Sequence, residues 1–381
     1  MRYLQRYLLE TILVTSSGLV LLYAFIQLVR SGRLRKWTAA LLLLVCSGLL
    51  AFGLLINAHR VEVLLPPTFG TVYKALYLAA MVNILGIFLL SRIYAIGLGK
   101  WQEHSTERRK FLKATYAAPA AVLGYGAFIE RERFQLREVD LPVVGLPKGL
   151  EGLKIAQVTD VHIGEFLDER DLVRVIDMVN ETRPHLAVMT GDLVTKFGDP
   201  VDACLRQLAR IKSDAGLYGC MGNHEMYADL EEYVESEAAR MGMLFLRNRA
   251  KTLMFGGDLL HITGVDYQTK RLNPQYLRGT EKLVRPDATN LLLSHNPDTF
   301  RVAPDKKFQI QLSGHTHGGQ IAVEILNPYL NVARFVTPYV AGYYHERGSS
   351  LYVSRGVGTI GLPVRAGVPP EVTLLRLRRM A

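Results

Sequence analysis

Five short segments of this 381-residue chain group carboxylates, amides and imidazoles at spacings that suit metal ligation. They are Asp160-Val161-His162, Gly191-Asp192, Gly222-Asn223-His224-Glu225, Ser294-His295-Asn296 and Gly314-His315-Thr316-His317-Gly318-Gly319-Gln320. Asp-x-His puts two ligands on one side of an extended backbone, because side chains alternate with period two. His315 and His317 repeat the device. Two divalent ions about 3.5–4 Å apart need a shared anionic bridge and several nitrogen or oxygen donors, with positions left open for water and substrate. Asp192 suits the bridge, Asn223 offers a neutral amide oxygen, and His295 completes the set. A lone Gly-Asp would be ordinary turn chemistry; five ligand-bearing segments in one chain are not. The donor mix of His, Asp and Asn suits Mn, Fe, Zn or Ni better than Mg or Ca.

The elements that must position these residues are short apolar strands and amphipathic helices alternating from Leu153 onward. Residues 153–159 and 186–190 read as buried strands and 170–180 as a helix with apolar residues at three- and four-residue spacing. Helices near 200–211 and 230–241 alternate with strands at 216–221, 259–263, 290–293 and 309–312. The pattern is that of an α/β domain. All five segments follow an apolar strand, where the loops of an open α/β sheet gather on a ligand. Residues 130–150, charged and then interrupted by Pro142, Gly145, Pro147 and Gly149, are expected to be a linker between a membrane region at 1–129 and the catalytic domain at 151–381.

The five blocks, in this order, resemble the calcineurin-like metallophosphoesterase superfamily over about 153–377. The Gly-His-Thr-His-Gly-Gly-Gln run and Tyr352-Val353-Ser354-Arg355-Gly356-Val357-Gly358 are similar to its bacterial membrane-associated YkuE-like branch. The resemblance implies a fold of two packed mixed β-sheets flanked by helices. It implies that Asp160, His162 and His317 hold one metal, that Asn223, His295 and His315 hold the other, and that Asp192 bridges both. It further implies attack on phosphorus by metal-activated hydroxide. His224 would contact a phosphate oxygen or protonate the leaving group, and Glu225 would orient it. The implied substrate is a phosphoester, foremost a phosphodiester, with the pyrophosphate of a nucleotide-diphosphate lipid as the alternative.

The chain carries a formal +10, with 45 Lys+Arg against 35 Asp+Glu. Residues 1–137 hold 17 basic and 6 acidic side chains, so this stretch supplies +11 and the remainder −1. That distribution excludes a nucleic-acid footprint on the catalytic part and points to membrane topology. Uncharged apolar stretches at 11–29, 37–59 and 75–91 are long enough, or nearly so, to span about 30 Å of hydrocarbon as helices. A fourth, at 114–129, is shorter and made of small residues. Before it, Glu107-Arg108-Arg109-Lys110-Phe111-Leu112-Lys113 resembles a twin-arginine export signal, with Glu107 where that pattern prefers Ser or Thr. Short-loop Lys and Arg concentrate after the first and third spans, so those loops are expected in the cytoplasm and the catalytic domain on the extracytoplasmic side of a bacterial plasma membrane.

Outside the blocks, His185, His261 and His345 read as structural or surface residues, and Cys220 as a small buried hydrophobe. Arg355 and Arg365 lie in Gly-rich loops, where exposure is the ordinary outcome and a substrate phosphate the sharper one. The apolar stretch 321–342, with Phe335 and Tyr339, is expected to be hairpin and core sequence or, alternatively, a lip admitting a lipid-linked phosphoester. A transporter is disfavoured by the scarcity of polar residues in the spans, and a catalytically inactive receptor by the intact ligand set.

Overall fold

The computed structural model describes residues 124–380 apart from 165, 274 and 323–330, together with Tyr23 and Val122. The expected spans at 11–29, 37–59 and 75–91, the motif at 107–113, most of 114–129 and Glu165 lie outside the described residues. Among those described, no helix is long and apolar enough to cross a membrane. Packing divides the chain into Tyr125–Ile360 with Val364–Ala381, which carries every element named below, and a second unit of Met1–Gly124 with Gly361–Pro363.

Twelve strands form two six-stranded mixed sheets. The first has the order β1 (Gln135–Val144), β12 (Glu371–Met380), β2 (Lys154–Val158), β3 (Leu186–Met189), β4 (Leu217–Gly219), β5 (Leu244–Phe245). The second runs β10 (Gly342–Glu346), β11 (Ser349–Val353), β9 (Ile310–Ser313), β8 (Thr289–Leu293), β7 (Asp258–Gly264), β6 (Arg249–Phe255). Strands β2 to β5 are parallel neighbours, as are β7, β8, β9 and β11.

Period-two alternation explains why these strands read as unbroken apolar runs. In β3, Leu186 and Val188 face the second sheet, while Ala187 and Met189 join the core beneath the helices. In β8, Leu291 and Leu293 enter the same inter-sheet core and Leu292 packs outward with Phe300 and Phe308. Helix α1 (Glu169–Glu181) buries Leu172, Val175, Ile176 and Val179 on one stripe, and Asp168 caps it by accepting from the Asp171 amide at 2.9 Å. Each such fully buried aliphatic side chain contributes about 1.5–3 kcal/mol. Helices α2 (Val201–Leu208) and α4 (Glu231–Arg240) cover the same face, and the six-residue α3 (Asn223–Ala228) follows β4.

The linker expectation is corrected over much of its length. Residues 135–144 are β1, paired in parallel with β12 along all ten positions. Leu141 and Val143 are fully buried between the sheets, whereas Glu138 and Asp140 meet Arg376 and Arg378 across the ladder. Alternating charge and Pro142 imitate a linker because β1 is an edge strand, where solvent-facing charges and proline are tolerated. The end of the 114–129 run also packs on this unit: Ala127 is buried, and the Gly126 carbonyl accepts from the Arg365 amide at 3.1 Å.

Candidate metal centre

The C-terminal ends of the parallel strands converge. Asp160 and His162 follow β2, Asp192 follows β3, Asn223 and His224 open α3 after β4, His295 follows β8, and His315 and His317 follow β9. All seven sequence-derived ligand candidates, with His224, therefore lie in one place. The strands that precede these residues are buried runs, yet the backbone beyond them is unusual. Asp160, His162, Asp192, His315 and His317 all have φ between 48° and 76°. Non-glycine residues pay about 1–3 kcal/mol each for such conformations, and they persist where surrounding structure enforces them.

Asp160, His162 and His317 bring ligand atoms within 4.8 Å of one another, and so do Asp192, His295 and His315. In the first group His317 Nε2 lies 3.3 Å from an Asp160 oxygen and 3.1 Å from His162 Nε2. In the second, His295 Nε2 is 3.0 Å from Asp192 and 3.2 Å from His315 Nδ1. Asp192 also reaches toward the first group, 3.5 Å from His162 Nε2. Its carboxylate thus stands between the two.

The outer ring nitrogens are held from behind, which orients the inner ones. His162 Nδ1 faces the Val194 carbonyl at 3.1 Å and the Thr195 hydroxyl at 3.2 Å, and His295 Nδ1 faces the Thr190 carbonyl at 2.7 Å. Carbonyls only accept, so in both rings Nδ1 carries a proton, and in neutral His162 Nε2 keeps its lone pair for the centre. Burial drives His162 and His315 down to about 3, and lowers His317 as well. Those imidazoles are neutral, as metal ligation requires. Burial pushes Asp160 up to about 6. For His295 burial opposes protonation, but the Asp192 charge and hydrogen bond outweigh it and raise the ring to about 9.

The donors fit divalent cations. Asn223 Oδ1 is buried with no hydrogen-bond partner. An orphaned carbonyl oxygen is costly unless something else satisfies it, and Asn223 stands one residue after Gly222, which packs against the Asp192 carboxylate.

Two expectations about neighbouring residues are corrected. Glu225 makes no contact that would orient the His224 ring. Its buried carboxylate instead accepts from the amides of Asp192 (2.9 Å), Leu193 (2.6 Å) and Gly222 (2.7 Å), pinning the loop that carries Asp192 to the start of α3. The extra methylene of Glu lets the carboxylate turn back three residues, away from His224. The His224 ring is oriented by the Thr195 carbonyl, 2.6 Å from Nδ1. Arg365 is fully buried rather than exposed, because the surrounding turn offers its guanidinium backbone carbonyls in place of water. Arg355 is partly exposed, and its Nε lies 3.7 Å from buried Glu371 rather than at the centre. Of the other histidines, His261 is buried between Thr252 and the Leu283 carbonyl, in keeping with a structural role, and Cys220 is core.

Tyr267 was not singled out by sequence, yet its hydroxyl lies 3.3 Å from His315 Nε2. It stands three residues past β7, so the same rule of strand ends would have pointed to it. In the 321–342 stretch Tyr339 is core, 4% exposed with its hydroxyl on Glu346, whereas Phe335 is 88% exposed; residues 323–330 lie outside the description.

The family profile described as calcineurin-like phosphoesterase matches residues 153–319. The uncharacterized metallophosphoesterase YkuE of Bacillus subtilis (strain 168) is 30% identical over 281 residues, covering 71% of this chain and 97% of that protein. An uncharacterized metallophosphoesterase of Aquifex aeolicus (strain VF5) is 30% identical, over 68% of this chain and 97% of its own length. A Danio rerio protein named transmembrane protein with metallophosphoesterase domain is also 30% identical, over 68% of this chain; the match spans only 61% of that longer relative.

Proposed function

This chain belongs to the calcineurin-like phosphoesterases and is a metal-dependent phosphoesterase, and we propose that it is a dinuclear phosphodiesterase attached to a membrane. Asp160, His162 and His317 would hold one divalent ion, Asn223, His295 and His315 the other, with Asp192 shared. The observation that carries this reading is the shared position of Asp192, near His162 of one ligand group and His295 of the other, beside the orphaned Asn223 oxygen. Bound divalent cations supply Lewis-acid polarisation of the phosphoryl oxygens and lower the pKa of water to give a nucleophile.

The chain's own residues do the rest. Thr195 fixes the His224 tautomer by accepting from Nδ1, which leaves Nε2 to meet a phosphate oxygen or the leaving group. Glu225 pins the Asp192 loop to the start of α3 by accepting from the amides of Asp192, Leu193, Val194 and Gly222, so the proposed bridging carboxylate is placed before substrate arrives. Buried β2, β3, β8 and β9 fix the strand ends and exclude water from below. The test is hydrolysis of bis-p-nitrophenyl phosphate by the full chain in detergent. Activity lost on chelation and restored by Mn or Zn supports the reading; equal rates in wild type and Asp192→Asn refute it.

A lipid-linked phosphoester is favoured by the exposed rim. Phe197 (80% exposed) extends from the loop whose Thr195 carbonyl contacts His224, and Tyr227 packs its ring 5.6 Å from that of His224. Phe335 and Val336 are exposed on the loop joined to Lys270 through the Val336 carbonyl, 2.9 Å away. Single exposed apolar residues are ordinary, but several beside one catalytic cluster suit an acyl chain. Phe197→Ser with Phe335→Ser should lower turnover of dodecyl p-nitrophenyl phosphate while sparing the ethyl ester; equal loss on both contradicts the lipid reading. The apolar runs before residue 130 and the transmembrane naming of a relative support attachment, and the Lys and Arg clustered around those runs support a catalytic domain outside the cytoplasm. A phosphatase reporter fused after Ala381 should be active only in an extracytoplasmic location.

A further inference from the structure

Among the described residues, Arg365 is the largest fully buried side chain. It forms no ion pair with a carboxylate there. Its guanidinium donates to backbone carbonyls: Nε to Gly358 at 3.1 Å, Nη1 to Val368 at 3.3 Å, and Nη2 to Arg355 at 2.9 Å and Gly356 at 3.1 Å. A buried charge without a counter-ion is costly, so its neighbours are informative. Nη2 also lies 3.4 Å from His317 Nδ1, the ring nitrogen that faces away from Asp160.

The carbonyls it gathers belong to the turn that supports Asp160. Val357 and Gly358 donate their amides to the carbonyls of Thr159 (3.1 Å) and Asp160 (2.7 Å). At Gly356 an added Cβ would stand 2.6 Å from the Asp160 Cβ, and at Gly358 one would stand 2.1 Å from the Val161 carbonyl oxygen. The turn is therefore pressed directly on the Asp160–Val161 backbone. Arg365 thus contacts one ligand candidate, His317, and braces the support of another, Asp160. None of its hydrogen bonds reaches Asn223, His295 or His315. The corresponding contact on that side is the Tyr267 hydroxyl at His315.

We infer that Arg365 is a positioning residue for one half of the centre, bracing the 355–358 turn behind Asp160 so that it sets the affinity of the Asp160, His162 and His317 site alone. The inference rests on the dinuclear reading above. A merely structural arginine would affect both ions alike; a half-specific one does not.

The experiment titrates metal-depleted full-length chain with Mn²⁺, resolving the two dissociation constants by calorimetry and electron paramagnetic resonance. Wild type should bind two ions. Arg365→Met should weaken one of them about 10–100-fold and move the other by less than about threefold, the range seen when partners behind a ligand are removed. Arg365→Lys, which keeps charge but offers fewer donors, should weaken the same ion by less. Combination with His317→Ala should add little further loss, whereas combination with His315→Ala should be additive. Equal weakening of both ions, no weakening, or an Arg365→Lys chain that fails to fold by circular dichroism overturns the inference. Fewer than two ions in wild type overturns the dinuclear reading first, and the inference with it.

Discussion

The two sheets bring different chemistry to the same place. Strands β2, β3 and β4 of the first sheet end in the carboxylate and amide donors of the cluster, Asp160, Asp192 and Asn223, with two imidazoles, His162 and His224. Strands β8 and β9 of the second end in imidazoles only, His295, His315 and His317. Negative charge and most of the neutral nitrogen are thereby kept on opposite layers of a sandwich whose inner faces are aliphatic. Two groups of ligand candidates draw on both layers, Asp160 and His162 with His317, and Asp192 with His295 and His315, whereas His162, Asp192 and His224 come together from the first alone. The lesson is that neither of the two proposed cation sites is complete on one sheet, so ion binding and sheet packing should be linked.

Removing the shared carboxylate breaks that arrangement most severely. Asp192→Ala should take phosphodiester turnover to the assay background and lower the number of ions bound, both read on the purified chain. His224→Ala sharpens the contrast, since on the proposed reading this ring meets substrate rather than metal. It should cost about 10²–10⁴-fold in kcat with the metal content unchanged by elemental analysis.

Glu225→Ala tests the first sheet by itself. It leaves four buried amides without this acceptor, each worth about 1–3 kcal/mol, and should lower the chemical-denaturation stability even of metal-free protein. Ion binding should in turn raise Tm, by the equivalent of about 2.7 kcal/mol at a metal concentration a hundred times Kd. The smallest effect is the pH dependence of that gain. Burial holds the Asp160 carboxyl at about 6 in the metal-free chain. Below that pH the native state keeps a proton that a cation must displace; above it the bare carboxylate is the costly form that a cation relieves. The metal-induced rise in Tm should therefore be larger at pH 7.5 than at pH 5, measured by thermal scans with and without chelator.

How far all this could be read from sequence differs between the same regions. The central strands were legible because burial on both faces makes them continuous apolar runs, and the residues just past them carried the ligands. Edge strand β1 was not, since Arg137, Glu138, Asp140 and Pro142 mask the inward pair Leu141 and Val143. The ligand types were legible from Asp-x-His and Gly-His-x-His spacing. Their left-handed backbone conformations were not, because positive φ at Asp160 or His315 is imposed by neighbours distant in sequence. Glu225 beside His224 suggested a pair, but side-chain reach decided otherwise. Arg365 followed the ordinary expectation for a loop arginine until the tertiary carbonyls around it were placed.

The most direct test of the account is a count of ions against rate. Metal-depleted full-length chain is titrated with Mn²⁺ while bis-p-nitrophenyl phosphate hydrolysis and bound metal are followed together. The account expects two ions per chain and a rate that rises with occupancy of the second. Full activity at one bound ion, or hydrolysis that persists after complete metal removal, would contradict it.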